Sequence, residues 1–157
     1  MARYGCTITV ASGKTPSSQT DFAWVVVTAN FPSASIDGGA TSFLNGGGNV
    51  RCYTDDTKAT QLPVEITEFV TGASPSIIIW GLSGSLNVAS TVYIEADTTA
   101  TSQPAASATY GSQAVWPDNE SVWHLEDLTD STGNATSLTT VGSPTTVEGA
   151  VGDGKRF

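Results

Sequence analysis

Residues 76–82 read Ser-Ile-Ile-Ile-Trp-Gly-Leu, and residues 91–96 read Thr-Val-Tyr-Ile-Glu-Ala. Both are strands, of two different kinds. In the second, Val92 and Ile94 occupy one face and Thr91, Tyr93 and Glu95 the other, the period-two pattern of a half-buried strand. The first is apolar at consecutive positions, as a strand covered on both faces must be. Ser83-Gly84-Ser85 follows it as a turn. Neither run is long enough for a core helix, and both are rich in β-branched and aromatic residues.

The same grammar extends outward. Cys6, Ile8 and Val10 alternate with Thr7 and Thr9, which predicts a strand near the start of the chain. Phe22–Thr28 (FAWVVVT) is apolar on both faces and reads as a central strand. Pro32–Gly48 contains IDGG and NGGG, a glycine-rich excursion with room for a short helical turn around Thr41–Leu44. Val50–Thr54 resumes a strand, Asp55-Asp56-Thr57 turns the chain, and Leu62, Val64 and Ile66 alternate with Glu65 and Thr67 in one further strand. Asp97–Ala108 is Thr/Ala/Ser with a Pro, suited to an extended edge or linker. Ser121–Leu125 (SVWHL) looks like a new strand, followed by the polar turn Asp130–Asn134. Short strands joined by Gly, Ser, Asn and Asp predict an all-β, antiparallel β-sandwich, jelly-roll-like. Its expected parts are a sandwich over residues 1–112, a linker over 113–120, and the start of a second β-sandwich over 121–157.

Composition supports that reading. The chain has 157 residues, 39% of them hydrophobic, so it can bury a core and is not disordered throughout. Only 13% are charged, against roughly 25% in an ordinary soluble domain. Ser and Thr, 18 and 23 of them, make up the difference. No apolar run approaches the ~20 residues of a membrane-crossing helix. The net charge is −9, and between Lys58 and Lys155 eleven carboxylates occur with no Lys or Arg. Such a surface repels phosphates, so nucleic acid is excluded as an expected partner; without a long apolar run, membrane insertion is not expected either. NGGG lacks the Lys-Ser/Thr and helix of a phosphate loop, which excludes nucleotide chemistry.

Low charge and abundant hydroxyls suit a protein that works outside cells. The first ten residues nevertheless hold no apolar h-region and no cleavage site. Two explanations stand: an export signal lies outside this sequence, or the protein leaves a cytoplasm by host lysis, as virion proteins do. Cys6 and Cys52 form no metal or redox spacing. Both sit on expected strands and could be neighbours in a disulfide or two small buried thiols, the latter favoured.

The series YGCTITV, FAWVVVTANF, VRCYTDDTKATQLPVEITEF, IIIWGLSGSLNVASTVYIEA and TSQPAASATYGSQAVW, over residues 3–116, resembles the domain family DUF2341 in order and spacing. YIEADTT departs from the Tyr-Tyr-Gly-Asn often found at that place in the family. The stretch VWHLEDLTDSTGNATSLTTVGSPTTVEGAVGDGKRF resembles the opening of a concanavalin A/LamG-like lectin sandwich, whose sequence would continue past Phe157. These resemblances imply a β-rich extracellular or virion-borne protein with an adhesive or carbohydrate-binding neighbour. They imply no catalytic residues.

Residue by residue, chemistry finds little support. His124 is the only histidine, and no nucleophile elbow accompanies it, so it reads as structural. The carboxylate pairs Glu65/Glu68, Glu95/Asp97 and Asp118/Glu120 would have to face one another across a cleft to hydrolyse a glycoside, and on alternating strands most face solvent. Asp127, Asp130 and Asn134, or Asp55 and Asp56, could supply calcium oxygens, although solvated turns suffice and no EF-hand pattern occurs. No cofactor is expected otherwise. Trp24 and Trp80 belong to the core, whereas Trp116 and Trp123 could stack on a glycan or pack at an interface. Asn119-Glu-Ser and Asn134-Ala-Thr match glycosylation sequons, which are frequent by chance in so Thr-rich a chain.

The expected function is therefore a non-enzymatic virion structural or attachment protein of a bacteriophage: a tail fibre, tail spike or capsid-decorating component. Its partners would be other virion subunits, further copies of itself (a trimer if a fibre) and a host-surface glycan. The alternative is a secreted bacterial surface protein or a carbohydrate-binding accessory module of a polysaccharide-active enzyme. Virion genes alongside would favour the first, and a signal peptide upstream the second.

Overall fold

The computed structural model describes residues 5–9, 19–40, 42–44, 46–86, 90–125, 127–149 and 151–156. Val10 and Thr41, which figure in the expectations above, lie outside these. The strands are β1 (Gly5–Thr9), β2 (Gln19–Val27), β3 (Val50–Tyr53), β4 (Gln61–Leu62), β5 (Val64–Val70), β6 (Ser76–Leu86), β7 (Thr91–Ala96), β8 (Thr145–Glu148) and β9 (Asp153–Arg156). The pairings are all antiparallel. One sheet has the order β1-β7-β3-β4, a second β2-β6-β5, and β8-β9 form a separate hairpin.

The first two sheets are the halves of an antiparallel sandwich. Val50, Cys52, Leu62, Val92, Ile94 and Ala96 from one sheet share a single core cluster with Trp24, Val26, Val64, Phe69, Ile77 and Ile79 from the other. The chain changes sheets between β1 and β2, β2 and β3, β4 and β5, and β6 and β7. One end of the core is filled by Phe43, which meets Phe31 and Phe69 edge to face at 6.0 and 5.8 Å. No member of the cluster lies beyond Ala96.

Several boundaries differ from the sequence expectations, each for a physical reason. The single strand expected over Leu62–Thr67 is two. Pro63 separates them, because it has no N–H to continue the ladder, and β4 and β5 belong to different sheets. Ser83-Gly84-Ser85 is no turn but part of β6, paired with β2 through Thr20↔Ser85 and Phe22↔Ser83. β2 lies at a sheet edge and β6 takes the central place expected for it. The short helix falls at Ser33–Ile36 instead of around Thr41–Leu44. It is held by Phe43 N–H donating to Ser35 O at 2.8 Å. Residues 97–108 are pinned and do not swing as a linker: Gln103 Nε2 donates to Gly47 O (2.6 Å) and Val50 O (2.9 Å), and Arg51 donates to Ser102 O (2.9 Å).

Two details make the core fit. The β5/β6 register shifts between Ile66 and Glu68, so Thr67 is an extra residue. That bulge lets Val64 and Ile66 (even) and Phe69 (odd) all face inward. At Gly81 the Trp24 indole lies directly over the backbone, and a Cβ there would sit 2.1 Å from Trp24 Cζ2. Trp24 Nε1 then donates to the buried Ser83 Oγ at 2.8 Å.

Candidate functional site

β6 is apolar on both faces, so something must cover its outer side. The cover comes from residues 112–125. The 3-10 turn Ser112–Val115 buries Val115 to 1% exposure, and Trp116 follows at 9%. On the sheet beneath, Glu65 of β5 is directly opposite Trp80 of β6. His124 stacks on Trp80 with ring centroids 4.8 Å apart, and Trp116 tilts against both, at 5.9 Å from Trp80 and 5.7 Å from His124. A single oxygen, Glu65 Oε2, accepts from Trp116 Nε1 at 2.6 Å and meets His124 Nε2 at 2.9 Å. An ionised carboxylate can only accept, so Nε2 carries the hydrogen. The 113–120 stretch expected to be a linker is therefore packed, through Val115 and Trp116, onto the sandwich.

Ser121–Leu125, expected as a strand, is irregular. Its backbone bonds go to the next turn. Asp130 Oδ1 accepts from the N–H groups of Val122 (3.0 Å) and Thr132 (2.9 Å). Asp130 Oδ2 accepts from Thr132 Oγ1 (2.9 Å), Thr136 N–H (2.9 Å) and Thr136 Oγ1 (2.6 Å). Ser131 N–H donates back to Val122 O at 2.9 Å. Partial desolvation raises the Asp130 carboxyl, but the bonds from Thr136, Thr132 and Val122 outweigh it and hold the group well below the usual carboxylate range. The turn is thus organised around one anion.

That arrangement does not fit calcium. Five donors occupy the Asp130 oxygens, Asp127 Oδ1 accepts from Thr129 N–H and Oγ1, and Asn134 Nδ2 donates to Glu120 O. Asp55 Oδ1 is likewise taken by Thr57 N–H and Oγ1. Among the described residues no three His, Cys, Asp or Glu side chains group as metal ligands.

The carboxylate pairs do not converge either. Glu65 lies under the aromatic cluster, whereas Glu68, beyond the bulge, lines an open cleft of about 540 Å³ with Glu148 and Asp153. Glu95 is buried beside Lys58 Nζ, and Asp97 Oδ1 caps Thr99. Asp118 and Glu120 are exposed. Next to His124 a small cleft of about 200 Å³ is lined by Thr67, Asp127, Thr129 and Ser131. Among the described residues no hydroxyl bonds to the imidazole, so no nucleophile–base pair is assembled.

Cys6 and Cys52 both pair with Ile94, from opposite sides. Two strand spacings, roughly 10 Å, therefore separate them, beyond the ~7 Å that a disulfide spans. Both are free thiols. Burial pushes Cys6 up to about 11; burial, then the neighbouring Cys6, raises Cys52 further.

Trp123 is unlike the other tryptophans. It is 37% exposed, and its Nε1 donates to Thr136 O at 2.9 Å, which fixes the ring. In the same stretch an open groove of about 440 Å³ is lined by Ser107, Thr109, Gln113, Asn119 and Asn134 beside Trp116, with no charged side chain. Sequence reasoning missed the Glu65–His124–Trp116 junction, although the two-sided apolarity of Ser76–Leu82 signalled that a cover existed. No family model, no curated protein and no solved structure matches this chain.

Proposed function

We propose that this chain is a non-enzymatic structural or attachment protein of a virion, of the bacteriophage kind, in a tail fibre, tail spike or capsid decoration. It acts by docking onto neighbouring subunits and by meeting glycan on the host surface. The observation that carries the reading is Trp123: a large indole, over a third exposed, pre-oriented by its bond to Thr136 O. A ring already fixed in place loses little entropy when a sugar stacks on it. The uncharged groove beside Trp116 offers amides and hydroxyls, the donors and acceptors that neutral sugar hydroxyls require. The eleven carboxylates between Lys58 and Lys155 favour neutral over anionic ligands.

A glycan array probed with the intact chain, and pull-down on host cells, test this. Trp123→Ala should abolish retention of the glycans bound by the parent chain, while amides within Ser76–Leu82 keep their protection from hydrogen exchange. An array on which the parent binds nothing, or binding that Trp123→Ala does not alter, would remove the glycan role.

A further inference from the structure

The β8–β9 hairpin belongs to neither sheet of the sandwich, which its turn end meets across the cleft lined by Glu68, and among the described residues neither strand pairs with any other. A lone two-stranded hairpin is marginal in water, and its open edges are templates for another strand. The pairing alternation can be read from the turn. Gly149 N–H donates to Gly152 O at 3.0 Å, so 149/152, 147/154 and 145/156 are the hydrogen-bonded pairs. On β9, Gly154 and Arg156 therefore face β8, while Asp153 and Lys155 turn their N–H and C=O outward. No backbone partner for either is present among the described residues.

We propose that β9 is a self-association edge, and that a second copy of this chain adds its own β9 antiparallel to it about a twofold axis at Gly154. Outward residues must oppose outward residues, which leaves two registers that are symmetric and stay within the strand. One sets Lys155 against Lys155 of the second copy, like charges facing each other. The other sets Asp153 against Lys155 of the second copy, twice, with Gly154 facing Gly154 at the axis. Opposite charges directly across a ladder stabilise it and like charges destabilise it, so charge selects the second register. Four backbone hydrogen bonds close in it, and the two hairpins become one four-stranded sheet.

The side chains agree. Asp153 and Lys155 share a face of β9, and Lys155 Nζ donates to Thr146 Oγ1 at 2.8 Å, so its stem lies along that face with two donors left over. β8 offers no matching charge pair: its outward residues are Thr146 and Glu148, and self-pairing within the strand matches Thr with Glu or Thr with Thr. The twofold contact closes on itself, which limits it to a dimer.

The proposal rests on the subunit docking in the function proposed above, and its test separates the two. Sedimentation equilibrium of the full chain, from micromolar to sub-millimolar concentration, should show a monomer–dimer equilibrium that weakens as salt rises. Asp153→Lys and Lys155→Glu should each weaken dimerisation about tenfold or more, and Asp153→Lys with Lys155→Glu together should restore it to within about threefold. Near-ultraviolet circular dichroism confirms that the sandwich is intact in each variant. A chain monomeric throughout overturns the proposal. So does a dimer indifferent to the single reversals, or one not restored by the double, although either would leave self-association through another surface standing.

Discussion

Replacing Glu65 by Ala removes an acceptor that ties residues 112–125 to the sandwich. Two bonds are lost, from Trp116 Nε1 at 2.6 Å and from His124 Nε2 at 2.9 Å, both onto the same oxygen. A hydrogen bond to a charged group contributes about 1.5–3 kcal/mol, and bonds sharing an acceptor add incompletely, so the expected cost is about 2–4 kcal/mol. The side chains of Glu65 and His124 are 12% and 14% exposed, so water replaces the lost partner only in part. The cost falls locally, because the core cluster ends at Ala96 and does not include the cover. Hydrogen exchange read by mass spectrometry is the assay. Peptides spanning 112–136 should exchange roughly 30- to 1,000-fold faster in Glu65→Ala, while peptides within Ser76–Leu82 change far less. Glu65→Gln, which keeps a neutral acceptor, should lie between. Unchanged exchange over 112–136, or equal acceleration along the whole chain, would refute the assignment of this cluster as a local clasp.

Other outcomes follow from the packing and the titrating groups. Gly81→Ala should destabilise by about 1–3 kcal/mol, because the new methyl collides with the Trp24 indole. In thermal melting that is a fall of about 2–4 °C per kcal/mol for a chain of this size. The Asp130 carboxyl is held below its unfolded value, so its contribution is fully present above about pH 4 and is lost as pH falls towards the depressed value. Amides of Val122, Thr132 and Thr136 should therefore stay protected at pH 5 in the parent and lose protection in Asp130→Ala, as measured by nuclear magnetic resonance. Cys6 and Cys52 should resist a thiol reagent at pH 8 in the native chain and both react in denaturant, since burial disfavours the thiolate. An intramolecular Cys6–Cys52 disulfide formed under mild oxidation would contradict the register at Ile94.

How much could be read in advance depended on how local each cause was. Thr91–Ala96 was legible because alternation is written in consecutive residues, and β7 matches it end to end. Ser76–Leu82 was legible as a doubly covered strand, yet nothing local says what covers it: Glu65 and His124 are 59 residues apart. β2 looked central because Val25 and Val27 are apolar, but they lie beside Trp80 and Ile78 on the outer face, half-buried at a sheet edge. Pro63 was visible without its consequence, since a strand break becomes a change of sheet only in three dimensions. The Asp130–Asn134 turn was read as polar and solvated. Its reach back to Val122 and forward to Thr136, which replaced the strand expected at Ser121–Leu125, depends on one side chain outcompeting a ladder.

The claim that this chain holds and is held, with no chemistry of its own, is tested most directly by electron microscopy of intact virions from the source, paired with mass spectrometry of their proteins. The account predicts peptides of this chain in purified particles, and symmetric density at the particle periphery that fits the β1-β7-β3-β4 and β2-β6-β5 sheets with Trp123 turned outward. Particles lacking the chain, together with substrate turnover by the purified protein, would contradict it.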